Sequence, residues 1–141
     1  MREIMNILVA VDLDPKQSEQ ILETARDLRK DCTARVHLVH VIEPIYEMIS
    51  PRILDIVEEH KAYAKRKILD LGTLFDIPKE YQFVKVGNIR LEILDLIDLI
   101  DADLLVMGNH GRHGFKGLFN RNNTSELLKN LDCDMLSVRV A

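Results

Sequence analysis

The chain has 141 residues, enough for one domain with its own core. Hydrophobic residues make up 47% and charged residues 30%, which excludes a disordered protein. The net charge of −4 argues against nucleic acid as a partner, because a polyanion requires a basic face. No stretch reaches the length of a membrane span, so we predict no membrane partner. The cysteines, Cys32 and Cys133, suit buried thiols in a reducing compartment, and we predict a cytoplasmic protein.

The first part of the chain predicts strand, helix and strand. Residues 4–11 are almost continuously apolar, which is typical of a strand buried on both faces of a parallel sheet. Asp14 suits the N-cap of a following helix, with Pro15 at its first position and Gln17 at the capping-box position. Residues 35–42 predict a second strand, in which two histidines point to opposite faces and cannot bind one metal together. We expect half-buried or surface imidazoles there, at His37 and His40.

The middle of the chain predicts a long helix, a strand and a third helix. The helix spans residues 51–75, and its apolar stripe is Ile53, Val57, His60, Ala64, Ile68, Leu71 and Phe75. Residues 81–86 alternate between polar and apolar like a strand. Gly87 and Asn88 then turn the chain into a helix whose expected buried side is Ile93, Leu94, Ile97 and Ile100.

The last part predicts a strand at residues 104–107, a helix at about 123–131 and a strand at 135–140. Asn123 and Glu126 match the spacing of a capping box at the start of that helix. Strands and helices thus alternate along the whole chain. This alternation predicts an α/β fold, a doubly wound parallel sheet with helices on both faces and right-handed crossovers, in a single domain over residues 1–141.

A glycine-rich stretch between the fourth strand and the last helix is the main functional signal. Glycine recurs at positions 108, 111, 114 and 117, and no acidic residue lies between Met107 and Thr124. Glycines let a backbone approach a ligand closely, and the helix that follows offers unpaired N–H groups. The stretch therefore predicts an anion site, most naturally for phosphate. A simple turn in a basic surface loop is the alternative.

Three alternatives, which involve an enzyme, a phosphoacceptor or a metal site, have weaker support than the anion site. Asp12 follows a buried strand and could be the nucleophile of a phosphotransferase, but the residues after Asp14 lack the Gly-Thr usual in such sites. A response-regulator phosphoacceptor requires an Asp at the end of a middle strand, where this chain has Glu43 and Gly87. His110 and His113 could bind a metal, but no third ligand lies near them in sequence. We therefore predict no metal site, no catalytic residue and no enzyme.

Four segments resemble the universal stress protein family: ILVAVD, VHLVHVIE, LLVMGNHGRHG and the closing CDMLSVRV. The resemblance covers the whole chain. It implies a cytoplasmic α/β protein with a five-stranded parallel sheet of order 3-2-1-4-5. It also implies a dimer that is not a metabolic enzyme, in a family of which some members bind ATP and others do not.

The ATP-binding members carry a G-x-x-G motif, nine further residues and then Gly followed by Ser or Thr. Gly108 and Gly111 match the first half, but Arg121 and Asn122 stand where the family has Gly and Ser or Thr. Asp12 matches a nucleoside contact and Val41 an adenine contact. The residues that the resemblance and the basic loop assign to the nucleotide are Ala10, Val11, Asp12, Val41, Met107, Gly108, His110, Gly111, Arg112, Arg121, Asn122, Asn123 and Thr124.

The consequence of Arg121 is open to two interpretations. A long side chain in place of Gly obstructs the approach of a phosphate to the backbone. The planar guanidinium of arginine is also the side-chain group best suited to form paired hydrogen bonds with a phosphate. Arg121 could therefore replace the backbone contacts with its own side-chain contacts. We predict a degenerate adenine-nucleotide site with no certain cofactor. The alternative is ATP or AMP bound by the same loop, and neither interpretation addresses slow ATP hydrolysis or autophosphorylation.

The last strand carries a second signal. Leu136, Val138 and Val140 share one face of this strand. If the strand lies at an edge of the sheet, its free N–H and C=O groups can pair with another strand. The family resemblance implies self-pairing of this edge across a two-fold axis, so we predict a homodimer.

Overall fold

The computed structural model describes residues 4–29, 33–44, 52–109 and 121–140. Along these segments strands and helices alternate as expected. The elements are β1 (Asn6–Ala10), α1 (Pro15–Arg29), β2 (Arg35–Ile42), α2 (Ile53–Leu74), a 3-10 turn (Lys79–Tyr81), β3 (Gln82–Val86), α3 (Ile89–Ile100), β4 (Leu104–Asn109), α4 (Arg121–Asn130) and β5 (Asp134–Arg139).

The five strands form one sheet of order β3-β2-β1-β4-β5, and every pair is parallel. The chain runs from β1 outward to β3, returns to the middle at β4 and ends at the opposite edge. Because crossovers between parallel strands are right-handed, α1 and α2 cover one face and α3 and α4 the other. The predicted doubly wound fold and its strand order are confirmed.

The central strands explain the apolar runs in the sequence. Residues 7–11 are at most 1% exposed, because helices cover both faces of β1. Burial of an Ile, Leu or Val side chain contributes roughly 1.5–3 kcal/mol, so these strands carry much of the folding free energy. The core is therefore centred on β1 and β4, the two strands at the middle of the sheet.

The predicted helix starts are formed by side-chain caps. Asp14 Oδ1 accepts a hydrogen bond from the backbone N–H of Gln17 at 3.2 Å, which caps α1. Asn88 Oδ1 accepts one from the N–H of Leu91 at 3.1 Å, which caps α3. Gly87 between β3 and α3 has φ +154°, a conformation that residues with a Cβ rarely adopt, so the turn requires glycine.

The predicted stripe of α2 is wrong in its first half. Ala64, Ile68 and Leu71 are buried, but His60 is exposed and Val57 only partly buried. At 1.5 Å per residue α2 is about 33 Å long, whereas the five residues of β3 span about 17 Å. Only the second half of the helix therefore packs on the sheet.

Two smaller expectations also require correction. In α3 the buried set is Ile89, Ile93, Leu96 and Ile97, whereas Leu94 and Ile100 are only partly buried. The helix α4 already includes Arg121, so Asn123 lies inside it and does not cap it. Glu126 instead forms an ion pair with Arg90 of α3 at 3.3 Å. This contact between two helices could not be read from spacing within one of them.

Candidate functional site

The carboxyl ends of β2, β1 and β4 lie side by side. Ala10 at the end of β1 is paired with Val39 on one side and Met107 on the other. The chain direction across the sheet reverses between β1 and β4, which makes this pair the topological switch point. Open α/β sheets bind their ligands in the crevice at such a point.

The loop after β1 is shaped by two aspartates. Asp12 Oδ1 accepts a hydrogen bond from the N–H of Asp14 at 3.0 Å, while Asp14 caps α1. Leu13 between them has φ +75°, which for a residue with a side chain costs on the order of 1 kcal/mol. The loop thus holds the partly exposed Asp12 carboxylate just beyond the carboxyl end of β1. A carboxylate accepts hydrogen bonds from hydroxyl groups and repels phosphate, so it suits the sugar end of a nucleotide.

His40 of β2 lies under the same loop. Its Nδ1 is 2.8 Å from the carbonyl oxygen of Val11. Because a carbonyl oxygen only accepts, Nδ1 carries the proton and donates, which leaves Nε2 as the acceptor of the neutral ring. Burial lowers the pKa of His40, and the hydrogen bond to Val11 and the charge of Asp12 offset this only in part. His40 is therefore neutral at pH 7 and fixes the backbone beside Asp12.

This histidine gives the fold a specific dependence on pH. The pKa of His40 in the folded protein lies below its ordinary value of 6.5, so the unfolded chain binds more protons in this range. Stability should therefore fall as the pH drops from 6.5 toward the folded-state pKa, by about 1.4 kcal/mol for each unit of difference. Urea unfolding at pH 7.5 and 5.5 measures the loss. His40→Asn keeps an N–H donor but cannot be protonated there, and it should lose less stability; an equal loss would contradict this role of His40.

The other histidine of β2 is more buried than expected. His37 is 5% exposed, and its ring centroid lies 4.7 Å from that of Tyr81. Its Nδ1 faces the carbonyl oxygen of Ile7 at 3.4 Å, and burial lowers its pKa. The two histidines do project to opposite faces of the sheet. Within the described ranges no cluster of three or more His, Cys, Asp or Glu residues could hold a metal ion, and His113 lies outside them.

The remaining candidates fall into three groups. Ala10, Val11, Val41, Met107 and Gly108 are buried at or near the carboxyl ends of their strands. His110, Gly111 and Arg112 lie outside the described residues. The backbone of residues 121–124 forms the first turn of α4, where helical N–H groups lack intrahelical partners. The structure thus brings the β1, β2 and β4 candidates to one end of the sheet.

The sequence analysis missed the role of His40. Its position beside Val11 depends on the register between β1 and β2, in which Ala10 faces Val39. Strand periodicity predicts which face a side chain takes but not this register, so no sequence signal identified the contact.

Among the strands that the structure describes, β5 lies at the edge of the sheet and pairs only with β4. Leu136 and Val138 are partly buried, while Val140 is 4% exposed and belongs to the core of this chain. The N–H of Val140 donates to the carbonyl oxygen of Asn109. Because backbone groups alternate in direction along a strand, the N–H of Ser137 points away from β4 toward the free edge.

These features define a doubly wound α/β protein whose topological switch point lies between β1 and β4. The chain belongs to the universal stress protein family, whose model matches residues 3–139. It is 29% identical over 146 residues to universal stress protein A homolog 2 of Coxiella burnetii, covering 99% of this chain and 98% of the relative. It is 27% identical over 137 residues to the Haemophilus influenzae homolog, covering 94% of each.

Solved structures share the fold at low sequence identity. Universal stress protein UspA from Lactobacillus plantarum matches with a TM-score of 0.76 and 18% identity, over 99% of this chain and 100% of that one. A universal stress protein in complex with cAMP matches with a TM-score of 0.70 and 16% identity, over 99% and 100%. In the part of the chain that the structure describes, no helix is long and apolar enough to span a membrane.

Proposed function

We propose that this chain is a cytoplasmic, homodimeric binding or signalling domain of the stress response, without catalytic activity, whose adenine-nucleotide site is degenerate. The observation that carries the proposal is the pair Arg121 and Asn122 in the first turn of α4. Family resemblance assigns those positions to Gly and Ser or Thr, which wrap the phosphates of ATP.

The positions of Asp12 and Val41 support the nucleoside end of the proposed site. Asp12 is held by its own loop at the switch point, and Val41 is buried at the end of the neighbouring strand. An apolar contact for a base and an acceptor for ribose hydroxyls are the groups that a nucleoside requires. We therefore expect recognition of adenosine itself to persist.

The phosphate end of the site lacks the Gly and the Ser or Thr that contact phosphate in the ATP-binding members. Each charge-assisted hydrogen bond that is not remade costs roughly 1–3 kcal/mol, or about tenfold to a hundredfold in affinity. The side chain of Arg121 would occupy the space through which the phosphate tail reaches the backbone. We infer that the second and third phosphates contribute little to binding.

Binding of ATP or AMP by the same loop is the alternative. A neighbour of the same fold is a universal stress protein in complex with cAMP, a nucleotide with a single phosphate, which supports this alternative. In this alternative the guanidinium of Arg121 forms paired hydrogen bonds with the phosphate. A phosphotransferase that uses Asp12 is a more remote alternative, because the residues after Asp14 lack the Gly-Thr usual in such sites. Hydrolysis of a generic phosphoester that disappears in Asp12→Asn would favour that enzyme.

Titration of adenosine, AMP and ATP by calorimetry tests the proposal. We expect ATP to bind no more than about twofold more tightly than adenosine. ATP binding at least tenfold tighter than adenosine would overturn the degenerate site and establish the alternative. The purified protein gives a second readout, because a chain with no Trp and three Tyr absorbs weakly and a retained adenine nucleotide would dominate at 260 nm.

A further inference from the structure

A cavity lies between α2 and the edge strand β3, which is separated from β1 by β2. Its volume is about 440 Å³, within the range of roughly 300–1,000 Å³ typical of small-molecule sites. Its lining on β3 is Gln82 and Val84, and none of its lining residues is among the nucleotide candidates. This cavity is therefore separate from the proposed nucleotide site.

Three cations line this α2–β3 cavity: Lys65, Arg66 and Lys79. None of the described lining residues is acidic, although the chain as a whole carries a net charge of −4. Asp70 of the same helix lines a different cavity, beside Leu13. Within the described chain no carboxylate forms an ion pair with the three cations. All three side chains are exposed, and an anion in this cavity would interact favourably with them.

The rest of the lining is apolar. Ile68 is 1% exposed and forms part of the wall, Leu69 is 42% exposed, and Val84 of β3 is partly buried. A free inorganic anion gains nothing from such a surface, whereas an apolar group gains about 25 cal/mol for each square ångström removed from water. Cations beside an apolar wall therefore favour a ligand that has both an anionic head and an apolar tail.

The geometry favours a small molecule over a peptide strand. Gln82 and Val84 alternate with Phe83, so their side chains project from the face of the sheet that carries α2. A peptide that pairs with the free edge of β3 would lie in the plane of the sheet. The wall is also fixed, because Gln82 Nε2 donates to the carbonyl oxygen of Ile77 at 2.9 Å and packs against Gly72, where a Cβ would clash with it. The cavity is therefore preformed beside the helix.

We propose that the α2–β3 cavity binds amphipathic anions, a phosphate or carboxylate head on an alkyl tail, with the head near Lys65, Arg66 and Lys79 and the tail against Ile68 and Val84. The site is independent of the nucleotide site, and a signalling domain with both would respond to two chemical classes.

Calorimetry with octyl phosphate below its micelle concentration tests the proposal. We expect the affinity for octyl phosphate to exceed that for inorganic phosphate and that for 1-octanol by at least tenfold each, because each fragment satisfies only half of the cavity. Equal affinity for octyl phosphate and either fragment would overturn the proposal. So would binding to vesicles of phosphatidylcholine with phosphatidic acid but not to free octyl phosphate, since that result assigns the cations to a membrane surface.

Variants locate the site. Lys79→Glu should weaken octyl phosphate at least tenfold, and Val84→Trp should abolish binding by filling the cavity. Lys16→Glu on α1 makes the same change of net charge outside the cavity and should alter the affinity by less than twofold. Equal losses in Lys79→Glu and Lys16→Glu would overturn the assignment, because they would show a general charge effect. Melting curves of each variant confirm that it is folded.

Discussion

Replacing Arg121 by Gly and Asn122 by Ser should raise the affinity for ATP at least tenfold. The double substitution restores the family pattern at the first turn of α4, where backbone N–H groups lack intrahelical partners. If the site is degenerate as proposed, glycine removes a side chain from the path of the phosphate, and the serine hydroxyl supplies a further donor. Each charge-assisted hydrogen bond regained contributes roughly 1–3 kcal/mol, which sets the expected gain at about tenfold to a hundredfold.

The measurement is calorimetric titration of ATP and adenosine into the double variant and the unmodified protein. Adenosine should bind both equally, because the contacts that we propose for it, at Asp12 and Val41, are unchanged. Arg121→Ala is the control that separates obstruction from charge. If the guanidinium instead binds the phosphates directly, Arg121→Ala should weaken ATP binding. That result would show that the degenerate-site account is wrong. Unchanged ATP affinity in the double variant would refute it equally.

The sequence predicted the fold well because its main signals are local. The apolar run of β1 follows directly from burial on both faces, and Asp14 caps the helix that it precedes, as predicted. Such features depend on a few neighbouring residues and on one hydrophobic pattern. Chain order and the handedness of crossovers then restricted the topology.

The features that were missed depend on contacts distant in sequence. The exposure of His60 depends on how far α2 extends past the sheet, and the ion pair of Glu126 on how α3 and α4 pack. The contact of His40 with Val11 depends on strand register. The α2–β3 cavity combines residues of a helix, a turn and a strand, so no single segment of sequence could indicate it.

The second large effect concerns the predicted dimer, and Ser137→Pro should dissociate it. The N–H of Ser137 points to the free edge of β5, so proline removes a donor that a partner strand would use and leaves the bonds to β4 in place. A two-fold axis repeats the loss in both protomers. Two backbone hydrogen bonds and the steric conflict of two proline rings amount to about 2–4 kcal/mol, or roughly thirtyfold to several-hundredfold in the dissociation constant of the dimer.

Sedimentation velocity over a range of protein concentrations measures this change, with Ser137→Ala as the matched control. Alanine removes the exposed hydroxyl but keeps the N–H, so it should remain dimeric if pairing is through the backbone. Dissociation in both variants would assign the interface to the side chain, and an unmodified protein that is monomeric at high concentration would exclude the dimer. Val140 is already buried in its own protomer, so a dimer at this edge must rely on backbone pairing more than on that side chain.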